Sequence, residues 1–318
     1  LARCDVGVFD KTGTITSGKF EFVRCECVHC HCIDKHNHRE LLRIIAACER
    51  LSTHPIAKSI CLAFGQFADD CVVTDAKNYA GMGVSAVVDG VRYYAGNEKL
   101  MQKIGVPFTE TQLVGTAVYC CIDTEFLGDI VFADIIKTDS REAIDRLHRM
   151  GMKQAIMLTG DRASIAADIA AKAGLDGYYA KLLPEEKVQR VQALQQQGHT
   201  VLYAGDGIND APVLAAADLG VAMGGAGADV AIEASDMVIQ GDSLSQLPVG
   251  VTVARKTVGI ARENIIFAIA VKLLIILGCA VGIFDENAMW LAVFGDVGVC
   301  LLAVANALRV LHIRKKKK

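Results

Sequence analysis

Three apolar runs, each ending in a polar turn that carries a carboxylate, constrain this chain more than any other feature. Val6–Phe9 leads to Asp10, Ala155–Leu158 to Thr159-Gly160-Asp161, and Val201–Ala204 to Gly205-Asp206. Short apolar runs bounded by turn residues read as strands buried on both faces. Helical stretches surround them at Ser140–Met150, Ala163–Ala173 and Glu185–Gln197, the last preceded by Pro184. Proline suits a first helical turn, because the N–H it lacks has no partner there anyway. This alternation predicts an α/β fold with a parallel, doubly wound sheet. Ligands of such sheets bind beyond the carboxyl ends of the strands, where all three turns fall.

Residues 19–132 break the alternation. They show a helix from His38 to Glu49, another after Pro55, and short alternating strands around Val84–Val88, Val91–Ala95 and Thr116–Ile122. We read an α+β domain inserted into an α/β domain made of residues 1–18 and 133–245. Residues 246–318 read as a hairpin with spans at about 263–283 and 288–309. Ile265–Ile283 holds 19 residues with one charge, Lys272; Ala288–Leu308 also has one, Asp296. Each stretch is long enough for a bilayer core of about 30 Å; the alternative is a helical hairpin buried in a large soluble domain. Arg255, Lys256 and Arg262 precede the first stretch, and Arg309, Arg314 and Lys315–Lys318 follow the second. The linker carries only Asp285 and Glu286. The positive-inside rule then predicts cytoplasmic ends, a basic cytoplasmic tail and contact with membrane lipid.

Composition excludes some classes. A net charge of −3 without a basic stripe argues against a nucleic-acid partner. Twelve cysteines without a secretory leader point to thiols in a reducing compartment. The chain opens at Leu1, close to its first strand, and reads as the interior of a longer protein.

A carboxylate at a buried strand end can act as a nucleophile and form an aspartyl-phosphate. Asp10-Lys11-Thr12-Gly13-Thr14 has that placement. Thr159-Gly160-Asp161 offers a hydroxyl and backbone N–H groups to phosphate oxygens. Lys187, after Pro184-Glu185-Glu186, can neutralise charge on a transferring group. Gly205-Asp206-Gly207-Ile208-Asn209-Asp210 supplies two carboxylates four residues apart. Asp10, the Thr12 carbonyl and Asp206 make an all-oxygen set suited to Mg²⁺, with Asp210 behind them.

In this order, the four stretches resemble the phosphorylation signature of the P-type ATPases, ion pumps with a haloacid-dehalogenase-like phosphorylation domain. The resemblance spans nearly the whole chain. It implies ATP and Mg²⁺ as cofactors, with Asp10, Lys11, Thr12, Thr159, Gly160, Asp161, Lys187, Asp206, Asn209 and Asp210 at the catalytic centre. Related phosphatases place an acid two residues after the nucleophile for rapid hydrolysis. Here Thr12 stands there, so the phosphoenzyme is expected to persist until a separate actuator domain positions water. That domain's Thr-Gly-Glu loop is absent from this chain.

Glu49-Arg-Leu-Ser52-Thr53-His54-Pro55, Gly81-Met82-Gly83 and Gly96-Asn97 resemble the nucleotide-binding pattern of the heavy-metal branch. The resemblance implies that Glu49 contacts the adenine, that His54 orients the adenine or its ribose–phosphate, that Gly81 and Gly83 let the nucleotide approach, and that Asn97 supports the site. It excludes the Phe/Lys pocket of calcium and sodium pumps. Lys272 and Gly295-Asp296-Val297-Gly298 are similar to the zinc/cadmium/lead branch. The Tyr-Asn and Met-x-x-Ser-Ser of the copper branch are missing. The resemblance makes Asp296 a ligand of the transported ion and Lys272 its counter-ion when no metal is bound. It also implies partners upstream, namely the actuator domain and earlier helices, and a bacterial-type plasma membrane.

One cluster has no counterpart in that pattern. Cys25, Cys27, His29, Cys30, His31, Cys32, His36 and His38 put eight soft ligands in fourteen residues. Such density can bind Zn²⁺, although the spacing is no recognised finger and a variable surface loop is the preferred reading over a metal-sensing or metal-buffering role. The expected fold is therefore a haloacid-dehalogenase-like phosphorylation domain with an inserted α+β nucleotide-binding domain and a transmembrane hairpin. The expected function is ATP-driven export of Zn²⁺, Cd²⁺ or Pb²⁺ by a partial pump. Two rivals stay open: a phosphatase or phosphotransferase of the same fold, and a non-catalytic metal-binding module.

Overall fold

The computed structural model describes residues 1–28, 38–52, 54–111, 113–206, 210–224, 233–281 and 288–312. They fall into two compact units, one of residues 1–8, 141–155 and 187–318, the other of residues 9–140 and 156–186. In chain order the elements are β1 (Val6–Asp10), β2 (Thr16–Cys27), α1 (His38–Glu49), α2 (Pro55–Phe64), β3 (Val73–Tyr79), β4 (Gly83–Val88), β5 (Val91–Gly96) and α3 (Glu98–Ile104). There follow β6 (Thr116–Ile122), β7 (Glu125–Ile136), α4 (Ser140–Arg149), β8 (Gln154–Leu158), α5 (Ala163–Ala173), β9 (Gly177–Tyr179), α6 (Pro184–Gln196), β10 (Val201–Gly205), α7 (Ala211–Ala216), β11 (Leu219–Met223) and β12 (Met237–Ile239).

One six-stranded sheet has the order β12-β11-β10-β1-β8-β9. Its neighbours β10/β11, β11/β12 and β8/β9 run parallel. All five residues of β1 are buried, as are all five of β10. That is why these strands read as unbroken apolar runs rather than as alternating ones. Asp10 ends β1 and Gly205 ends β10, so the polar turns follow at the carboxyl edge.

The other sheet is antiparallel, in the order β2-β7-β6-β5-β4-β3. Pairing of Thr16 with Ile136 closes it at its base. Helices α1 and α2 cover one face, where Leu41, Ile45 and Ile60 pack with Val84, Val118, Ile130 and Phe132. On the other face Leu100 and Met101 of α3 pack with Tyr119 and Cys121. Each large aliphatic side chain so buried contributes about 1.5–3 kcal/mol. Strand β2 is largely exposed, which is why sequence pattern did not reveal it.

The first unit continues into a 35-residue helix, Gln246–Ala280, about 52 Å long at 1.5 Å per residue. Its first turns bury Leu247, Pro248 and Val251, and beyond Ile260 most of its apolar side chains are exposed. A second helical stretch, Phe294–Leu311, is also long and apolar enough to cross a membrane. The two pack together. A Cβ on Gly295 would meet Ile275 Cδ1 at 2.7 Å, so glycine permits the approach. The Asn264 amide donates to the Ala303 carbonyl at 3.0 Å, and the Asn306 amide donates to Asn264 Oδ1 at 2.8 Å. The first helix begins well before the span expected near residue 263. Its early turns carry Arg255, Lys256, Arg262 and Glu263, and these charges hide the helix from a hydropathy reading.

Candidate active site

In the second unit the nucleophile candidate is fixed by its own loop. Asp10 is buried, and its Oδ2 accepts the Thr12 N–H at 3.0 Å. Gly13 turns the chain back at φ 74°, a conformation that costs a residue with a Cβ about 1–2 kcal/mol. The Lys137 ammonium donates to the Gly13 carbonyl, and Ser140 Oγ to the Ile15 carbonyl at 2.8 Å. Thr14 is fully buried, and its hydroxyl has no partner among the described residues.

Lys11 is buried between two carboxylates, 2.8 Å from Asp134 Oδ2 and 2.9 Å from Asp161 Oδ2. Burial alone would push its ammonium down; Asp134 and Asp161 outweigh this and hold it above the usual lysine range. Thr16 Oγ1 stands 2.9 Å from Asp134 and 3.0 Å from the Lys11 carbonyl. Thr159 is buried and accepts the Asp161 N–H at 3.1 Å, which folds the Thr159-Gly160-Asp161 turn back on itself. Asp10, Lys11, Thr12, Thr159, Gly160 and Asp161 thus belong to this unit. Sequence reasoning missed Asp134 and Lys137. The available signal was a carboxylate inside an apolar run, Ile130–Ile136, followed by a lysine.

In the first unit Lys187 Nζ lies 2.9 Å from Asp210 Oδ1, with both side chains largely buried. A Cβ on Gly205 would sit 2.9 Å from Asp210 Oδ2, so glycine makes room for that carboxylate. Asp206 follows β10, half-buried. Asn209 lies outside the described residues.

All five residues expected at the nucleotide, Glu49, His54, Gly81, Gly83 and Asn97, line one cavity of about 340 Å³ in the second unit. Burial pushes the Glu49 carboxyl up to about 7, against a lowering hydrogen bond from Ser52. His54 caps α2 through Nδ1, which accepts the Ile56 N–H at 3.3 Å. Asn97 caps α3, accepting the Leu100 N–H, and donates to the Gly81 carbonyl at 2.9 Å. A Cβ on Gly83 would lie 2.3 Å from the Ala95 carbonyl oxygen. Its glycine therefore admits the neighbouring strand's backbone as well as facing the cavity.

In the hairpin Lys272 Nζ lies 2.8 Å from Asp296 Oδ1, with Asp296 in a wide turn spanning Phe294–Gly298. Of the Cys/His cluster, Cys25 and Cys27 lie on β2 and His38 opens α1, while His29–His36 fall outside the described residues. Among the described residues no three His, Cys, Asp or Glu side chains are placed to hold a metal ion.

A family model for haloacid dehalogenase-like hydrolases matches residues 5–218. The chain belongs to that family. This haloacid dehalogenase-like protein is 40% identical to a cadmium, zinc and cobalt-transporting ATPase of Bacillus subtilis (strain 168), over 99% of its own length and 44% of the relative's. It is 43% identical to a zinc-transporting ATPase of Synechocystis sp., over 95% of its length and 41% of that protein's. The chain thus spans less than half the length of these relatives. A crystal structure of a zinc-transporting PIB-type ATPase in its E2.Pi state superposes with a TM-score of 0.78 at 33% identity, covering 98% of this chain and 50% of the other. The catalytic domain of the CPx-ATPase CopB-B superposes at 0.64 and 26% identity, over 78% of this chain and 90% of that domain. The haloacid dehalogenase-like fold, with the antiparallel domain inserted and two apolar helices following, is therefore the architecture of this chain.

Proposed function

We propose that the chain is the carboxyl-terminal part of an ATP-driven exporter of a divalent heavy metal, working through an aspartyl-phosphate on Asp10. The observation that carries this reading is the clamp of Lys11 by Asp134 and Asp161 beside buried Asp10, in the same unit as the Glu49–Asn97 cavity. ATP binds with its base at Glu49 and His54. The Asp10 carboxylate attacks the γ-phosphorus in line and ADP leaves. Lys11, Thr159 and Lys187 are the groups assigned to the phosphoryl oxygens, and Asp210 orients Lys187. Asp10, the Thr12 carbonyl and Asp206 offer only hard oxygens, which fits Mg²⁺. When bound, that ion neutralises charge on the phosphoryl oxygens. Thr12 carries no ionisable group to drive hydrolysis, so the acyl phosphate persists.

The catalytic domain takes residues 1–18 and 133–245, the nucleotide domain residues 19–132, and the membrane hairpin residues 246–318. Both helices cross the bilayer with the soluble domains and the basic tail on the cytoplasmic side. The relatives' names support Zn²⁺ and Cd²⁺ as cargo, and motif resemblance adds Pb²⁺. Asp296 supplies an oxygen ligand, and Lys272 neutralises it between transport events. Actuator domain and upstream helices complete the pump. The test is incubation with γ-labelled ATP and Mg²⁺, acid quench, and comparison of wild type with Asp10→Asn. The expected result is an acid-stable, hydroxylamine-labile label that the variant lacks. Rapid turnover of small phosphate esters without such a label overturns the reading in favour of a phosphatase.

A further inference from the structure

Arg162 occupies a position that local structure disfavours. It is the N-cap residue of α5, in extended conformation, and its side chain makes no capping bond. Ser, Thr, Asp and Asn are preferred there, and a cation meets the positive end of the helix dipole. The guanidinium instead pairs with the Glu98 carboxylate. Glu98 is the first residue of α3 and directly follows Asn97, the cap that lines the nucleotide cavity. Arg162 directly follows Asp161, which holds Lys11. One ion pair therefore joins the nucleotide cavity to the loop beside the nucleophile, within a single compact unit. The Glu98 side chain is only 20% exposed, so the acceptor end is well fixed, whereas Arg162 at 49% is open to solvent.

A nucleotide must be held at the cavity while its terminal phosphate meets Asp10. A link between these two places bears on that reaction and on no step that lacks a nucleotide. We propose that the Arg162–Glu98 pair is a clasp that keeps the nucleotide cavity facing the phosphorylation loop, making both side chains positioning residues for phosphoryl transfer from ATP. This rests on the reading that Asp10 takes a phosphoryl group from ATP. A half-exposed pair is worth little in absolute terms, so its removal slows transfer by about two- to five-fold. Salt weakens it, because the pair is reachable by counterions.

The experiment measures single-turnover labelling of the full chain from two donors: ATP, and acetyl phosphate, which carries no base and transfers its phosphoryl group to Asp10 with release of acetate. Arg162→Ala and Glu98→Ala are expected to slow labelling from ATP by two- to five-fold and to leave labelling from acetyl phosphate unchanged. The exchanged pair Arg162→Glu with Glu98→Arg restores at least half of the loss. In wild type, added salt brings the ATP rate toward that of Arg162→Ala. Equal losses with both donors would mean that the substitution disturbs the phosphorylation loop itself, and would overturn the clasp. So would wild-type ATP rates in both single variants, or no recovery in the exchanged pair. A wild type labelled by neither donor sinks the phosphoenzyme reading instead, which separates the two failures.

Discussion

Replacement of Glu49 by Gln removes a carboxyl group that lines the cavity proposed for the nucleotide. Glu49 is 6% exposed, and burial raises its pKa from an ordinary 4.5 to about 7. At 1.36 kcal/mol for each tenfold change in proton affinity, that displacement disfavours the ionised form by about 3 kcal/mol. The sign follows from proton counting. Between pH 4.5 and about 7 the folded chain holds a proton that the unfolded chain has lost, so stability falls as pH rises through this window and levels off above it. Glu49→Gln removes the titration, and the variant melts higher than wild type by a margin that grows with pH. Nucleotide binding runs the other way. The carboxylate accepts a hydrogen bond from the adenine amino group more strongly than the protonated acid, whose carbonyl oxygen still accepts, so ATP affinity rises with pH up to about 7 and flattens above. Displacement of a fluorescent nucleotide across roughly pH 5.5–8.5 reads this directly. An affinity that stays flat across that range in wild type refutes the argument. A slope that survives in Glu49→Gln refutes it too.

Two further outcomes follow from the packing. Asp134→Asn leaves the buried Lys11 ammonium with Asp161 alone and is expected to cost about 3 kcal/mol and to suppress labelling of Asp10. Lys11→Met with Asp134→Leu should recover most of the melting temperature and none of the label, whereas equal melting of Asp134→Asn and wild type would show that the pair is not a structural clamp. Gly83→Ala forces a Cβ to 2.3 Å from the Ala95 carbonyl oxygen at φ +146°. It should destabilise the nucleotide domain by about 3 kcal/mol or more, seen as lost ATP binding and faster proteolysis within residues 16–136.

Much of the molecule was legible because it depends on short-range pattern. The buried runs before Asp10, Asp161 and Asp206 announce parallel strands, since a strand covered on both faces has no polar side. Helices α2 and α6 begin at Pro55 and Pro184, because helix starts are settled within a few residues. The apolar stretches around Lys272 and Asp296 show through composition alone. The residues proposed for the nucleotide stood in the sequence as separate motifs, from Glu49 to Asn97, and one cavity collects them.

What only the tertiary structure decided are the partnerships. Lys11 meets Asp134 across 123 residues, Lys187 meets Asp210, Arg162 meets Glu98, and Asn264 meets Asn306 between two helices. No periodicity encodes such pairs, because the entropy of closing those loops is offset by the packing of whole sheets and helices rather than by the paired residues. The glycines divide the same way. Gly13 could be read as a turn, while Gly83 and Gly205 are explained only by a strand backbone and a carboxylate that other parts of the chain bring against them.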